Sequence, residues 1–429
     1  MPLDSRIKLL DLVLCLSDAM DFIDPAVVSH HKQVAYIASG IAAEMGLSVA
    51  GQKDLLFAGA LHDIGAFSLK QRKDILQFEA YRSAEHAEAG YAILAAFSPL
   101  SHLAPAVRYH HVRWDRGRGV ESGGKPVPRA SHILHLADRV AVLVKKRCEV
   151  LRQVPSICRT IRSKSGTTFA PDMVDAFLNL ASKEYFWFEI VSPSIQSTLS
   201  QKFEGATVAL HSDDMLEFSR LFSRIIDFKS PYTATHSSGV AASAELLAGH
   251  LGFTKRERRA MRIAGYLHDL GKLAVPVEIL DKPSGLARNE YNVIRHHTFY
   301  TYRILDALPP LANINKWASF HHERLDGKGY PFHLTAKELL QGSQIMAVAD
   351  IFTAIAEDRP YRAGMTPAGA VRVLDDMVRD KAINGDIVAA LKRNYGRINA
   401  ARIHAQSAAT REYRTMNQKI NPAKKPKVF

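Results

Sequence analysis

The sequence predicts an all-α protein built as two tandem helical domains. Three observations carry that expectation. Apolar residues recur at three- and four-residue spacing along most of the chain, and alternating strand patterns are scarce. An ordered set of seven His and Asp residues occurs twice: His30, His62-Asp63, His86, His110-His111 and Asp138, then His236, His268-Asp269, His297, His321-His322 and Asp350. The offsets between the copies are 206, 206, 206, 211, 211, 211 and 212 residues, growing only by short insertions as a duplicated unit would show.

Each element follows from local signals. In the first copy Leu55, Leu56, Ala58, Gly59, Ala60 and Leu61 form an apolar run that leads into His62-Asp63-Ile64-Gly65. In the second, Thr254-Lys-Arg-Glu257 is a capping-box pattern. The helix it opens carries Ala260, Ile263, Ala264 and Leu267 on its apolar face and ends near Gly271, with Pro276 blocking continuation. His268 and Asp269 therefore fall in the last turn, where a rigid element holds them and the adjoining loop leaves room for a substrate. The stretch 169–177 after the first set resembles 383–391 after the second, so each unit is expected to close with its own helix. The expected domains are 1–195, a joint at 196–211, 212–405, and a C-terminal extension at 406–429 ending in a polar, Lys/Pro-rich tail.

Composition sets the outer bounds. The 429 residues leave room for two or three domains, and 47% apolar with 23% charged residues is the balance of a soluble globular protein. The net charge of +13 points to anionic partners without choosing among nucleotides, nucleic acid and acidic lipid. Cys15, Cys148 and Cys158 form no C-x-x-C pair and support neither a disulfide framework nor a thiolate zinc site. The apolar stretch at 9–16 is broken by Asp11, so no signal peptide is expected, and no membrane-spanning run occurs. The expected location is cytoplasmic, with no membrane partner.

The repeated set points to metal chemistry. Imidazole and carboxylate together suit Fe, Mn, Zn, Ni or Co. An aspartate beside a histidine can bridge two metals about 3.5–4 Å apart, which activate a shared hydroxide and hold phosphoester oxygens. In the second copy Lys272 follows as a cation able to neutralise a phosphoryl oxygen. Gly327, Gly329 and Pro331 make a tight loop that presents Tyr330. Arg359 and Arg362, within Asp358-Arg-Pro-Tyr-Arg362, are candidates to grip phosphates.

These residues carry a resemblance. The second unit resembles an HD-GYP domain, the branch of the HD superfamily that hydrolyses bacterial cyclic dinucleotides. The matching pieces are Tyr232-Thr-Ala-Thr-His236, Leu267-His-Asp-Leu-Gly-Lys272, His297, His321-His-Glu323, Asp326-Gly-Lys-Gly-Tyr-Pro331, Val348-Ala-Asp350 and Asp358-Arg-Pro-Tyr-Arg362. The resemblance implies metal ligation by His236, His268, Asp269, His297, His321, His322 and Asp350. It also implies a phosphate contact from Lys272; His268, Asp269 and Lys272 are the expected catalytic residues, and Lys272, Arg359, Arg362 and Tyr330 the expected substrate contacts. It gives the 329–331 loop a structural or partner-docking role. Some members carry a glutamate at the position of Tyr232 that supports a third metal, so two divalent metals (Fe, Mn, Ni or Zn) are expected here. Thr353 stands where many members have an aspartate. The implied activity is hydrolysis of cyclic di-GMP, or of 3′3′-cyclic GMP-AMP, to the linear dinucleotide, with further cleavage to mononucleotide open. A homodimer is a further expectation. Two other readings stay open: an adaptor that binds a cyclic dinucleotide without cutting it, and an HD-type nucleotide phosphohydrolase.

The first copy keeps all seven positions but not the accessories. Ala66 stands at the lysine position, Val112 replaces the glutamate, and the stretch 114–120 supplies no Gly-Tyr-Pro. His30, His62, Asp63, His86, His110, His111 and Asp138 are expected to form a second metal site. Whether it hydrolyses another phosphoester, regulates its neighbour or only supports it stays open.

Overall fold

The computed structural model describes residues 7–21, 29–66, 78, 84–145, 148–203, 209–210, 212–229, 235–282, 284–358 and 363–420. The chain divides between Ala209 and Leu210 into two compact units, residues 8–209 and residues 210–429 together with Ile7. Among the described residues, strands are limited to two-residue pairs and every longer element is a helix.

In the first unit the helix His30–Glu44 is the central element. Its Val34, Ala35, Ile37, Ala38 and Ile41 are fully buried. It packs on the helices Val49–Leu61, Arg129–Leu143 and Pro171–Ala181. The closest approach is at Gly59, where an added Cβ would lie 2.8 Å from the Ala35 Cα, so only glycine lets the two helices meet. A short hairpin, Glu121–Ser122 with Lys125–Pro126, turns through Gly123 and Gly124. Both glycines have positive φ, at 57° and 73°, the conformation a tight two-residue turn demands.

The stretch 196–211, expected as a joint, instead begins inside a helix, Ile195–Lys202, that packs on His30–Glu44. Ile195 and Leu199, one turn apart, are buried at 1% and 0% exposure. That one-sided apolar spacing draws the segment into the first unit's core.

The second unit repeats the plan. The helix His236–His250 packs on Lys255–Leu267, Gln341–Ala356 and Tyr395–Ile420. Gly265 meets Ala241 as Gly59 meets Ala35, with an added Cβ only 2.5 Å from the Ala241 Cα. The capping box at Thr254 and Glu257 forms as the sequence predicts, with each side chain bonded to the other's backbone N–H. The helix Tyr395–Ile420 runs straight through residue 405, where the sequence placed the end of this unit. Its fully buried Ile398 anchors it, and residues 406–420 continue as helix rather than as a separate extension. Residues 421–429, the basic tail, lie outside the described residues. No helix among the described residues is long and apolar enough to cross a membrane.

Candidate metal centres

Helix ends place the His-Asp pairs in both units, whereas His297, Asp350 and Asp138 lie within the helices Arg288–Asp306, Gln341–Ala356 and Arg129–Leu143. His268 caps the helix Lys255–Leu267 and donates its Nδ1–H to the Gly265 carbonyl at 2.8 Å. His297 and His321 do the same toward Ile294 and Ala318, each at 2.6 Å. In all three the bond runs three residues back, which turns Nε2 inward as the free ligand nitrogen. The first unit copies the device: His62 donates to Gly59 at 2.8 Å and His110 to Val107 at 2.6 Å.

The glycine two residues after each aspartate has a packing reason. A Cβ on Gly271 would stand 1.9 Å from the His297 carbonyl, and one on Gly65 would stand 2.2 Å from the His86 carbonyl. The chain must touch the third histidine's backbone there, and only glycine permits it. Thr301, fully buried, completes the lock by accepting from Gly271 N at 2.9 Å and donating to the His268 carbonyl at 3.1 Å.

The seven second-unit residues converge on one buried centre. His236 Nε2 lies 2.9 Å from Asp350 Oδ1, and His268 Nε2 lies 3.8 Å from the same oxygen. Asp269 sits between the two halves, with Oδ2 at 3.2 Å from His268 Nε2 and Oδ1 at 3.5 Å from His297 Nε2. His297 and His321 face each other at 3.4 Å between Nε2 atoms, and His322 Nδ1 lies 4.0 Å from Asp350 Oδ2. His236, His268 and Asp350 form one metal-sized group, and His297, His321 and His322 another. Lys272 Nζ donates to Asp269 Oδ2 at 2.6 Å, and its side chain keeps 19% of its surface in solvent.

The charges fit this picture. Burial pushes the Asp269 carboxyl up, but His268, Lys272 and His297 outweigh burial and hold it well below the usual range. Asp350 is likewise held low by His236, His321 and His322 against its burial. Burial brings His297 down to about 3 and lowers His321 and His322, which keeps these imidazoles neutral and able to ligate. His236 behaves oppositely: Glu357 and Asp350 overcome burial and raise it to about 10.

Both centres have a donor set that could hold a metal. Buried polar atoms normally find partners, yet His268 Nε2 has none in hydrogen-bonding direction, although carboxylate oxygens stand near. In the first unit His30 Nε2, His62 Nε2, Asp63 Oδ1 and Asp138 Oδ1 are all in that condition. There His86 Nε2 and His110 Nε2 approach Asp63 Oδ1 at 3.2 and 3.5 Å, His62 Nε2 approaches Asp63 Oδ2 at 3.1 Å, and His111 Nε2 lies 3.0 Å from His86 Nε2. Asp63, His86, His110 and His111 together form a four-member group able to hold an ion.

The accessories separate the units. Glu323 is buried and accepts from Phe332 N at 2.7 Å and Leu334 N at 3.0 Å, so it clamps the Gly-Tyr-Pro loop from beneath. Gly329 lies against it, with an added Cβ 2.4 Å from the Glu323 Cα. Tyr330 lies in the loop outside any helix, as the sequence predicts, and is partly buried. Its ring packs 5.0 Å from the His322 ring and beneath the Arg295 guanidinium at 4.7 Å, because the clamped loop folds back over the double histidine. Arg359, Arg362 and Tyr232 lie outside the described residues.

Two groups of residues near the ligands escaped sequence reasoning. Glu357 accepts from His236 Nδ1 at 3.1 Å, orienting that ligand, and is held in turn by Gln406 Nε2 at 2.8 Å. Arg402 donates to Gln406 Oε1 at 2.6 Å. Glu357 stands beside the recognised Asp358-Arg-Pro segment, but Gln406 has no local signal: it reaches the centre from a helix 170 residues after His236. The other is Arg139, which directly follows Asp138 and donates to Oδ2 through Nη2 at 2.6 Å.

A duplicated helical bundle with His-Asp pairs at matching helix ends defines an HD domain. Residues 220–387 match the HD-domain family, and residues 27–143 match it a second time. The chain belongs to this family as a tandem HD-domain protein, and its second unit is of the HD-GYP type. It is 29% identical over 402 residues to the 3′3′-cGAMP-specific phosphodiesterase 1 of Vibrio cholerae, covering 91% of this chain and 92% of that one. The 3′3′-cGAMP-specific phosphodiesterase 3 of the same organism is 34% identical, over 63% of this chain and 59% of its own. A cyclic di-GMP phosphodiesterase of Pseudomonas aeruginosa is 37% identical, over 39% of this chain and 40% of its own. A crystal structure of a Vibrio cholerae cyclic GMP-AMP phosphodiesterase shares the fold, with a TM-score of 0.63 at 24% identity over 92% of this chain and 98% of that one.

Proposed function

We propose that the second unit is a metal-dependent phosphodiesterase that opens a 3′,5′-linked cyclic dinucleotide, with 3′3′-cGAMP as its first substrate. The observation that carries the reading is the second unit's rim: seven convergent ligands, of which His322 is partly solvated, bordered by Lys272, whose ammonium is paired with Asp269. The choice of 3′3′-cGAMP follows the reach of the matches. Two relatives with that specificity match over 91% and 63% of this chain, whereas two cyclic di-GMP enzymes match over 39% and 41%.

His236, His268 and Asp350 would hold one divalent cation and His297, His321 and His322 a second, with one oxygen of Asp269 toward each group. Fe, Mn, Ni and Zn all suit this donor set. A bound pair supplies an activated water and neutralises phosphoryl oxygens. The chain's own residues do the rest. Glu357 fixes the His236 ring so that Nε2 points inward. Lys272, pinned by Asp269, places positive charge where a phosphoryl oxygen gains charge in the transition state. Tyr330, packed on His322, walls the open side, and Arg359 and Arg362 are proposed to hold the second phosphate. Water oxygen bonds to phosphorus as the bond to the 3′ oxygen breaks, that oxygen takes the proton, and the product is a linear dinucleotide with a 5′ phosphate.

Phe299 and Phe332 support a protein partner at the Gly-Tyr-Pro loop, since their rings lie 6.2 Å apart and are 42% and 37% exposed. Cys15, Cys148 and Cys158 form no disulfide, which fits a reducing, cytoplasmic setting.

The test is a panel of 3′3′-cGAMP, cyclic di-GMP and cyclic di-AMP, each offered to protein loaded anaerobically with Fe(II) or Mn(II). Linear product should form fastest from 3′3′-cGAMP. Tight binding without linear product would instead make the protein an adaptor, and turnover of mononucleotides alone would make it a nucleotide phosphohydrolase.

A further inference from the structure

Arg139 and Asp138 are neighbours on the helix Arg129–Leu143, and their side chains are 2% and 0% exposed. Arg139 donates twice to Asp138 Oδ2, from Nε at 3.1 Å and Nη2 at 2.6 Å, and once to the Phe78 carbonyl, from Nη1 at 3.2 Å. The other oxygen, Oδ1, faces His30 Nε2 at 3.3 Å and His62 Nε2 at 3.8 Å. The carboxylate is thus divided between the ligand cluster and a guanidinium that cannot lose its proton.

In the second unit no arginine or lysine among the described residues holds the corresponding oxygen. Ile351 follows Asp350, and Asp350 Oδ2 looks toward His322, whose side chain is 32% exposed, at 4.0 Å. The first unit also has Ala66, fully buried, where the second has the solvent-reaching Lys272. Another side is closed as well. His31, where the second unit has Ser237, is buried and paired with Asp21, its ring 5.5 Å from that of His62.

We propose that Arg139 makes the first unit a closed metal site. The cluster takes a divalent cation on inward atoms of His30, His62 and Asp63, but among the described residues Arg139 occupies Asp138 Oδ2 and no lysine stands at the position of Lys272. Sites closed in this way contribute folding energy, whereas catalytic sites keep a position open. The bound ion therefore stabilises the first unit and hydrolyses nothing. This role stands whether or not the second unit cuts a cyclic dinucleotide.

The experiment uses the full chain with the second centre removed by His268→Ala and Asp269→Ala. This variant should retain Mn(II) or Zn(II) after desalting, as read by elemental analysis. Its unfolding temperature should fall with a chelator and recover when the metal returns. It should not hydrolyse bis(p-nitrophenyl) phosphate or a linear dinucleotide under any metal. Loss of all metal, or hydrolysis that disappears when His62→Ala and Asp63→Ala are added, would overturn the proposal. In the same background Arg139→Met should tighten Mn(II) binding about tenfold, because a fixed positive charge leaves the ion's surroundings. Arg139→Gln, which can still donate to Asp138, replaces it if the methionine variant does not fold. Unchanged or weaker Mn(II) affinity in the folded variant would remove Arg139 from the account.

Discussion

Around Asp350 the second unit keeps one carboxylate oxygen facing a half-exposed histidine, and around Asp138 the first unit fills that side with a buried arginine. The seven ligand types, the backbone-oriented imidazoles and the two close glycines are otherwise shared. What differs lies just outside the ligands: Lys272 against Ala66, Glu323 with its clamped loop against Val112, Ile351 against Arg139. The lesson is that ligand retention alone says a metal can be held. Chemistry on a phosphoester also needs a way in and a charge to meet it.

The sharpest way to break the contrast is to remove each centre in turn. His268→Ala with Asp269→Ala should lower cyclic dinucleotide turnover at least about a thousandfold, since electrostatic stabilisation and the nucleophile are lost together. Unchanged turnover, followed by chromatography of the linear product, would sink the assignment. Lys272→Met should come next, lowering kcat about a hundredfold with a smaller change in KM, because its charge acts mainly in the transition state. Steady-state kinetics separates the two effects.

Glu357→Gln tests how the second unit steers His236. It should weaken metal binding by about ten- to a hundredfold, the usual effect of losing a ligand's outer partner. A metal titration reads this directly, and Gln406→Ala should have a smaller effect of the same sign. Glu323→Ala should have the smallest effect on chemistry and a measurable one on folding. Two backbone donors lose their acceptor, at about 1–3 kcal/mol, which a denaturant titration would show. If that variant unfolds as wild type does, the clamp is not what orders the Gly-Tyr-Pro loop.

Much of this was legible in the chain. The all-α class came from the apolar spacing, and the duplication from the register of seven residues. The capping box at Thr254 formed where the sequence placed it. The unit edges were legible only in part: the divide between Ala209 and Leu210 falls within the expected joint, but the joint's start and the end of the second unit do not follow the expected bounds. Ile195 and Leu199 draw a supposed joint into the first core, and the helix Tyr395–Ile420 crosses a supposed boundary, because burial against distant helices, not local composition, decides where a unit stops.

The sequence by itself determined which side chains could ligate and that the set occurs twice, since imidazole and carboxylate chemistry is intrinsic to residue type and helical periodicity fixes local facing. Only the tertiary structure decided what each ligand leans on. Gln406 reaches Glu357, and Arg139 reaches across to the Phe78 carbonyl, through contacts that no local pattern encodes. Those contacts depend on packing between segments far apart in the chain, and they make one centre open and the other closed.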